Sequence, residues 1–77
     1  MLVAGVVIKV RPGDESACAE RLSRSPGTRI EKQEAGNLAL VVEARSTQDL
    51  IDLSKRWEQE DESVLGVFPA FIGRDES

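Results

Sequence analysis

The sequence predicts an α+β domain in the order βαββαβ, a four-stranded antiparallel sheet with two helices on one face. Three observations lead there. Short runs rich in β-branched residues recur at 3–10, 38–44 and 64–72, bounded by Pro, Gly, Ser or Asn. The first two runs are each followed by a polar, acidic start and then an apolar stripe at helical spacing. The two halves also repeat one another: VVIKVRPGDESACAERL sets beside LVVEARSTQDLIDLSKRW as strand, short loop and helix. That repeat is the split βαβ arrangement called ferredoxin-like.

Each element follows from its residues. The run 3–10 closes at Pro12-Gly13 and reads as a strand. Asp14-Glu15-Ser16 puts acidic and capping groups at a helix N-terminus, and Ala17, Cys18 and Leu22 form a thin apolar stripe, so a helix is predicted over 14–24. Ser25-Pro26-Gly27 ends it. Residues 28–34 alternate weakly around Ile30 and read as an edge strand, and Ala35-Gly36-Asn37 makes a turn tolerant of positive φ. The run 38–44 is almost continuously apolar, as befits a central strand. Ser46-Thr47-Gln48-Asp49 opens a second helix with capping-box spacing, carrying Leu50, Leu53 and Trp57 on one face to about Glu60. Pro69 lacks a backbone donor and assigns the last strand, 64–72, to a sheet edge.

Alternation then sorts the side chains. Val6, Ile8, Val10, Leu38, Leu40 and Val42 should face the helices, with Ile30, Leu65, Val67, Phe71, Leu22, Leu50, Leu53 and Trp57 completing the core. Gly5, Val7, Lys9, Arg29, Glu31, Gln33, Ala39, Val41, Glu43, Phe68 and Ala70 should face outward. Four strands make a platform roughly 15 to 20 Å across, wide enough for one helix. Composition leaves three readings of this apolar face: a docking site for a partner peptide, a self-association surface, or the ordinary apolar share of a protein surface.

Totals narrow the chemistry. Seventy-seven residues make one domain, 1–77. A net charge of −4 argues against a phosphate backbone and for a cationic partner. One cysteine and no histidine leave no internal disulfide, no Cys/His zinc site and no histidine-based dyad, so neither a metal, a cofactor nor an enzymatic activity is expected. The opening MLVAGVVI has no basic region before it and is cut by Lys9 and Arg11, so it reads as a strand rather than an export signal. No other apolar run approaches membrane-spanning length, which makes the cytoplasm the default location. Lys9 and Glu43 read as a cross-strand surface pair, Cys18 as a small helix-face residue, and the acidic run Glu58, Glu60, Asp61, Glu62 as a solvated helix end.

The opening VAGVVIKVRP, the run PGTRIEKQEAGNLALVVEA and the closing SVLGVFPAF together resemble the NapD family of nitrate reductase maturation chaperones, over nearly the whole chain. The matching positions are Pro26-Gly27, Gly36, Leu38, Val41, Val42, Glu43, Val64, Leu65 and Val67. Phe71-Ile72 stands where the family pattern has an aromatic-histidine ending. The resemblance implies a cytoplasmic chaperone of Tat export proofreading. Such a protein binds the twin-arginine signal peptide of the periplasmic nitrate reductase catalytic subunit, or of a related molybdoenzyme, and delays export until its cofactor is inserted. On this chain the implied peptide-binding residues are Val7, Ala39, Val41 and Phe68 under the apolar side of the peptide, Glu31 and Glu43 toward its arginines, and Lys9 beside them. A monomer, or at most a weak dimer, is expected, with no nucleic acid and no membrane insertion.

Two other classes share the βαββαβ order. A dimeric Lrp/AsnC-like or ACT-like module would sense a small ligand, usually beside a second domain, and the lack of one here favours the chaperone. An acylphosphatase-like enzyme wants a phosphate-cradling loop, of which Arg11-Pro12-Gly13-Asp14 supplies only fragments.

Overall fold

The computed structural model describes residues 2–74. They form β1 (Leu2–Val10), α1 (Glu15–Ser23), β2 (Thr28–Glu34), β3 (Asn37–Ala44), α2 (Thr47–Glu60) and β4 (Val64–Arg74). The strands make one antiparallel sheet in the order β2-β3-β1-β4. The two apolar runs are therefore central, while the weakly patterned β2 and the Pro69-bearing β4 are edges, giving the ferredoxin-like βαββαβ fold.

The helices start in different ways. Ser46 sits in extended conformation and its Oγ accepts the Asp49 N–H at 3.1 Å, as the spacing predicts. The Asp14 side chain caps no amide of α1. Its carboxylate instead accepts from Ser63 Oγ at 3.0 Å, and Glu15 reaches the amides of Gly13 (2.9 Å) and Gly36 (2.7 Å). Acidic residues that look like local caps thus tie α1 to the start of β4 and to the β2–β3 turn. In that turn Gly36 adopts φ 77°, a conformation costly for a residue with a Cβ.

The core lies between the sheet and the helices. Val6, Ile8, Val10, Leu38, Leu40 and Val42 are buried there with Leu22, Leu50 and Trp57, and Ile30, Leu53 and Val67 pack at its margin. On α1 the buried face is Cys18, Ala19 and Leu22, with Ala17 turned to solvent, one residue out of phase with the predicted stripe.

Leu65 and Phe71 depart from expectation more sharply. Alternation places both in the core, whereas they are 53% and 59% exposed. The β1–β4 register shifts twice, leaving Ala70 unpaired between Gly5 and Val6, and Leu65 unpaired between Lys9 and Val10. An extra residue in one strand reverses the alternation beyond it, so Phe71 moves to the face away from the helices.

A polar clip closes one end of the domain. The Arg21 guanidinium binds Asp61 through two 2.9 Å hydrogen bonds and donates to Ser63 Oγ at 3.0 Å. These contacts, the Arg21 hydrogen bond foremost, hold the Asp61 carboxyl below its usual range. Cys18 beside it is fully buried, and burial, reinforced by the Asp61 charge, pushes its thiol up to about 11. The cysteine is a packing residue, as its helix-face position suggests.

Candidate functional site

Directly opposed residues of an antiparallel sheet share a face, so the register lays out the surface opposite the helices as rows crossing β4, β1, β3 and β2. The first row is Gly66, Lys9, Asn37 and Glu34. The second is Phe68, Val7, Ala39 and Lys32. The third is Phe71, Gly5, Val41 and Arg29. The fourth is Gly73, Val3 and Glu43, whose N–H donates to the Gly27 carbonyl at 2.8 Å.

The middle rows form a continuous apolar platform. Phe68 is 56% exposed and Val7 36%, while Ala39 and Val41 are half-buried among them. Both aromatic rings occupy space that a glycine leaves open. A Cβ built on Gly5 would overlap the Phe71 ring, and one on Gly66 would meet the Phe68 ring at 2.8 Å. Glycine at these strand positions admits the ring close to the backbone. The platform carries a depression of about 240 Å³ lined by Val7, Lys32, Glu34, Asn37, Leu38 and Ala39.

Its charges are arranged unevenly. Along β2, Arg29 pairs with Glu31 at 2.6 Å and Lys32 with Glu34 at 2.7 Å, so that edge is neutralised within itself. Lys9 and Glu43 make no ion pair among the described residues. They lie at opposite ends: Lys9 is opposite Asn37 and Gly66, and Glu43 opposite Val3. Six residues of strand separate their rows, roughly 20 Å. The cross-strand pair expected between them does not form.

Of the residues singled out from sequence, Val7, Ala39, Val41 and Phe68 come together on the platform. Lys9 and Glu43 mark its two ends. Glu31 falls in a register shift between Ile30 and Lys32, has no direct partner on β3, and turns its carboxylate to Arg29. Gln33, expected outward, sits opposite the buried Leu38 and donates to Ser16 Oγ on α1 at 2.8 Å. That bulge changes the alternation of β2 as the others change that of β4. Phe71 is the platform residue that sequence reasoning missed, and the glycine in the middle of β1 was the available sign of a ring packed above it.

Beside Glu43 the sheet end opens into a second depression of about 340 Å³, lined by Asp49, Asp52, Arg45 and Arg56 with Pro26. No group of three or more potential metal ligands occurs among the described residues, and no helix there is long and apolar enough to cross a membrane.

A family model described as NapD protein matches residues 1–74. The chain belongs to the NapD family. Among solved structures, this NapD-family chain is similar to the solution structure of the E. coli Tat proofreading chaperone protein NapD, with a TM-score of 0.76 and 25% identity over 97% of this chain and 80% of that one. It is similar in fold to the crystal structure of hypothetical protein PHS023 from Pyrococcus horikoshii, with a TM-score of 0.75 at 19% identity, over 99% of this chain and 93% of that one. No curated protein matches it.

Proposed function

We propose that this NapD-family protein is a Tat proofreading chaperone acting in the cytoplasm. It binds the twin-arginine signal peptide of the periplasmic nitrate reductase catalytic subunit, or of a related molybdoenzyme, and delays export until the cofactor is inserted. Family membership and the likeness to the E. coli chaperone support the role. The observation that carries the binding mode is the unpartnered apolar platform of Phe68, Val7, Ala39 and Val41.

A signal peptide joins basic residues to an apolar run. As a helix about 10 Å across it fits a four-stranded face and lays its apolar side over the platform. Glu43 meets an arginine with a charge-assisted hydrogen bond. Glu31 contributes less, because it must exchange Arg29 for the incoming arginine. A peptide covered in this way is withheld from the export machinery for as long as it stays bound. The role is one of binding, and it needs no catalytic group.

Val41→Asp tests the binding surface. A carboxylate in the third row sits beneath the peptide's apolar side, where it would be desolvated without a partner. Binding of the signal peptide should fall below detection while the thermal melt stays cooperative. Full affinity in that variant would place the peptide on another surface.

A further inference from the structure

We propose that the platform is complementary to itself, and that a second copy of this chain covers it in the free protein as a weak face-to-face dimer that a bound peptide displaces. The pairing rests on the open face alone, and its displacement rests on the reading of that face as the peptide site.

Val7, Phe68 and Phe71 are all exposed on this face, and monomeric proteins rarely leave a contiguous apolar patch of more than a few hundred Å² uncovered. The sheet edges are poor routes to association: β2 carries Arg29, Glu31, Lys32 and Glu34, and β4 is interrupted by Pro69 and by two bulges. The face fits itself. A two-fold axis between two packed sheets, running across the strands and between the Val7 and Gly5 rows, lays each row of one copy against the row on the other side of the axis. Val7 then meets the partner's Gly5, Ala39 meets the partner's Val41, and Phe68 meets the partner's Phe71. Larger side chains fall on smaller ones in the centre, and aromatic rings meet along β4.

Charge selects this axis. It brings Lys9 over the partner's Val3, whose neighbour on β3 is the partner's Glu43, one strand spacing of roughly 5 Å away. Symmetry makes the contact twice, so Lys9 and Glu43, which have no ion pair among the described residues, are both paired across the interface. An axis running along the strands would keep each row against itself and set like charges together at both ends. Along β2, Lys32 comes to the partner's Arg29, each already neutralised by its own glutamate. The area sets the strength. A face roughly 15 to 20 Å across and roughly 20 Å long buries roughly 600 to 800 Å² in all, below the roughly 1,200 Å² of stable complexes. The net charge of −4 on each copy opposes association further. The dissociation constant is expected on the order of 0.1 to 1 mM. At a total concentration about ten times that constant, roughly one-fifth of the chains are monomeric, and peptide affinity falls roughly fivefold.

Sedimentation of the full chain between about 10 µM and about 2 mM should show the average mass rising from that of one chain toward that of two. A single chain's mass throughout overturns the proposal. Lys9→Glu alone, or Glu43→Lys alone, turns both attractions into repulsions and should weaken the dimer about tenfold or more, exposed pairings each being worth roughly 2- to 5-fold. Both positions are exposed, so each variant should keep a cooperative thermal melt. Mixed in equal amounts, the two variants should associate as well as the unaltered chain, since each supplies the charge the other lacks. Undiminished association of either variant alone, or no recovery on mixing, overturns the face-to-face pairing. A synthetic twin-arginine signal peptide of a periplasmic nitrate reductase, added to the dimer, should yield complexes of one chain with one peptide. A peptide that binds and leaves the dimer intact overturns the displacement and moves the peptide to another surface, and a peptide that fails to bind overturns the peptide site while the dimer stands.

Discussion

Truncating Phe68 to alanine separates a residue used for binding from one used for folding. The ring is 56% exposed. A phenylalanine presents about 200 Å² when fully accessible, so about 110 Å² of it remains available to a partner. A helix laid along the sheet covers about half of that area, worth about 1.4 kcal/mol at 25 cal/mol per Å², or about tenfold in affinity. The part already packed over Gly66 contributes on the order of 1 kcal/mol to folding, once the residual burial of the unfolded chain is deducted. That loss lowers the melting temperature by about 4 to 8 °C in a domain this small. Titration calorimetry with the signal peptide, beside a thermal melt, reads both numbers. Ile51 is also exposed and apolar but lies on α2, so Ile51→Ala is the control and should leave binding unchanged. If Phe68→Ala changed affinity less than twofold while Ile51→Ala weakened it, the platform would not be the binding surface.

Gly5→Ala should push the Phe71 ring off the sheet, destabilising the domain by about 1 to 2 kcal/mol and shifting the Phe71 ring-proton resonances; a variant with wild-type melting and spectra would refute the close packing. Asp61 has a depressed folded pKa, so its clip with Arg21 contributes stability above the unfolded value of 3.8 and loses it as pH falls through the lower folded value. Asp61→Asn should therefore cost about 1 to 3 kcal/mol in urea melts at neutral pH and flatten the acid limb below about pH 4, with the slope from Glu15 remaining. At pH 8 the Cys18 thiolate should be about 100-fold scarcer than that of an ordinary thiol, since its pKa moves from 9.0 to about 11. A disulfide-exchange reagent should label it only as fast as the protein opens.

The central strands were readable in the sequence because their runs are β-branched and almost continuously apolar, as central strands require, and every helix-facing residue assigned there is buried. The second helix was readable from Ser46 and the spacing of Leu50, Leu53 and Trp57. The edges were harder. In β4 and β2 a residue of the strand stands without a partner at Leu65, Ala70 and Glu31, and local composition does not fix the position at which the extra residue enters. Those bulges moved Phe71 onto the open face and turned Gln33 toward α1. The platform was therefore legible through Val7, Ala39, Val41 and Phe68 and illegible at Phe71, although Gly5 and Pro69 both hinted at irregular pairing. The separation of Lys9 from Glu43 depended on the β1–β3 register, which no hairpin turn sets because α1 and β2 lie between those strands in the chain, and which composition does not reveal.

The most direct measurement is calorimetric titration of the protein with a twin-arginine signal peptide of a periplasmic nitrate reductase, beside the same peptide with both arginines replaced by glutamine. Binding at micromolar concentration or tighter is expected, weakened several-fold by the glutamine pair and further by raised salt. Equal affinity for both peptides would contradict recognition of the arginine pair, and no binding to either would contradict the export-chaperone role.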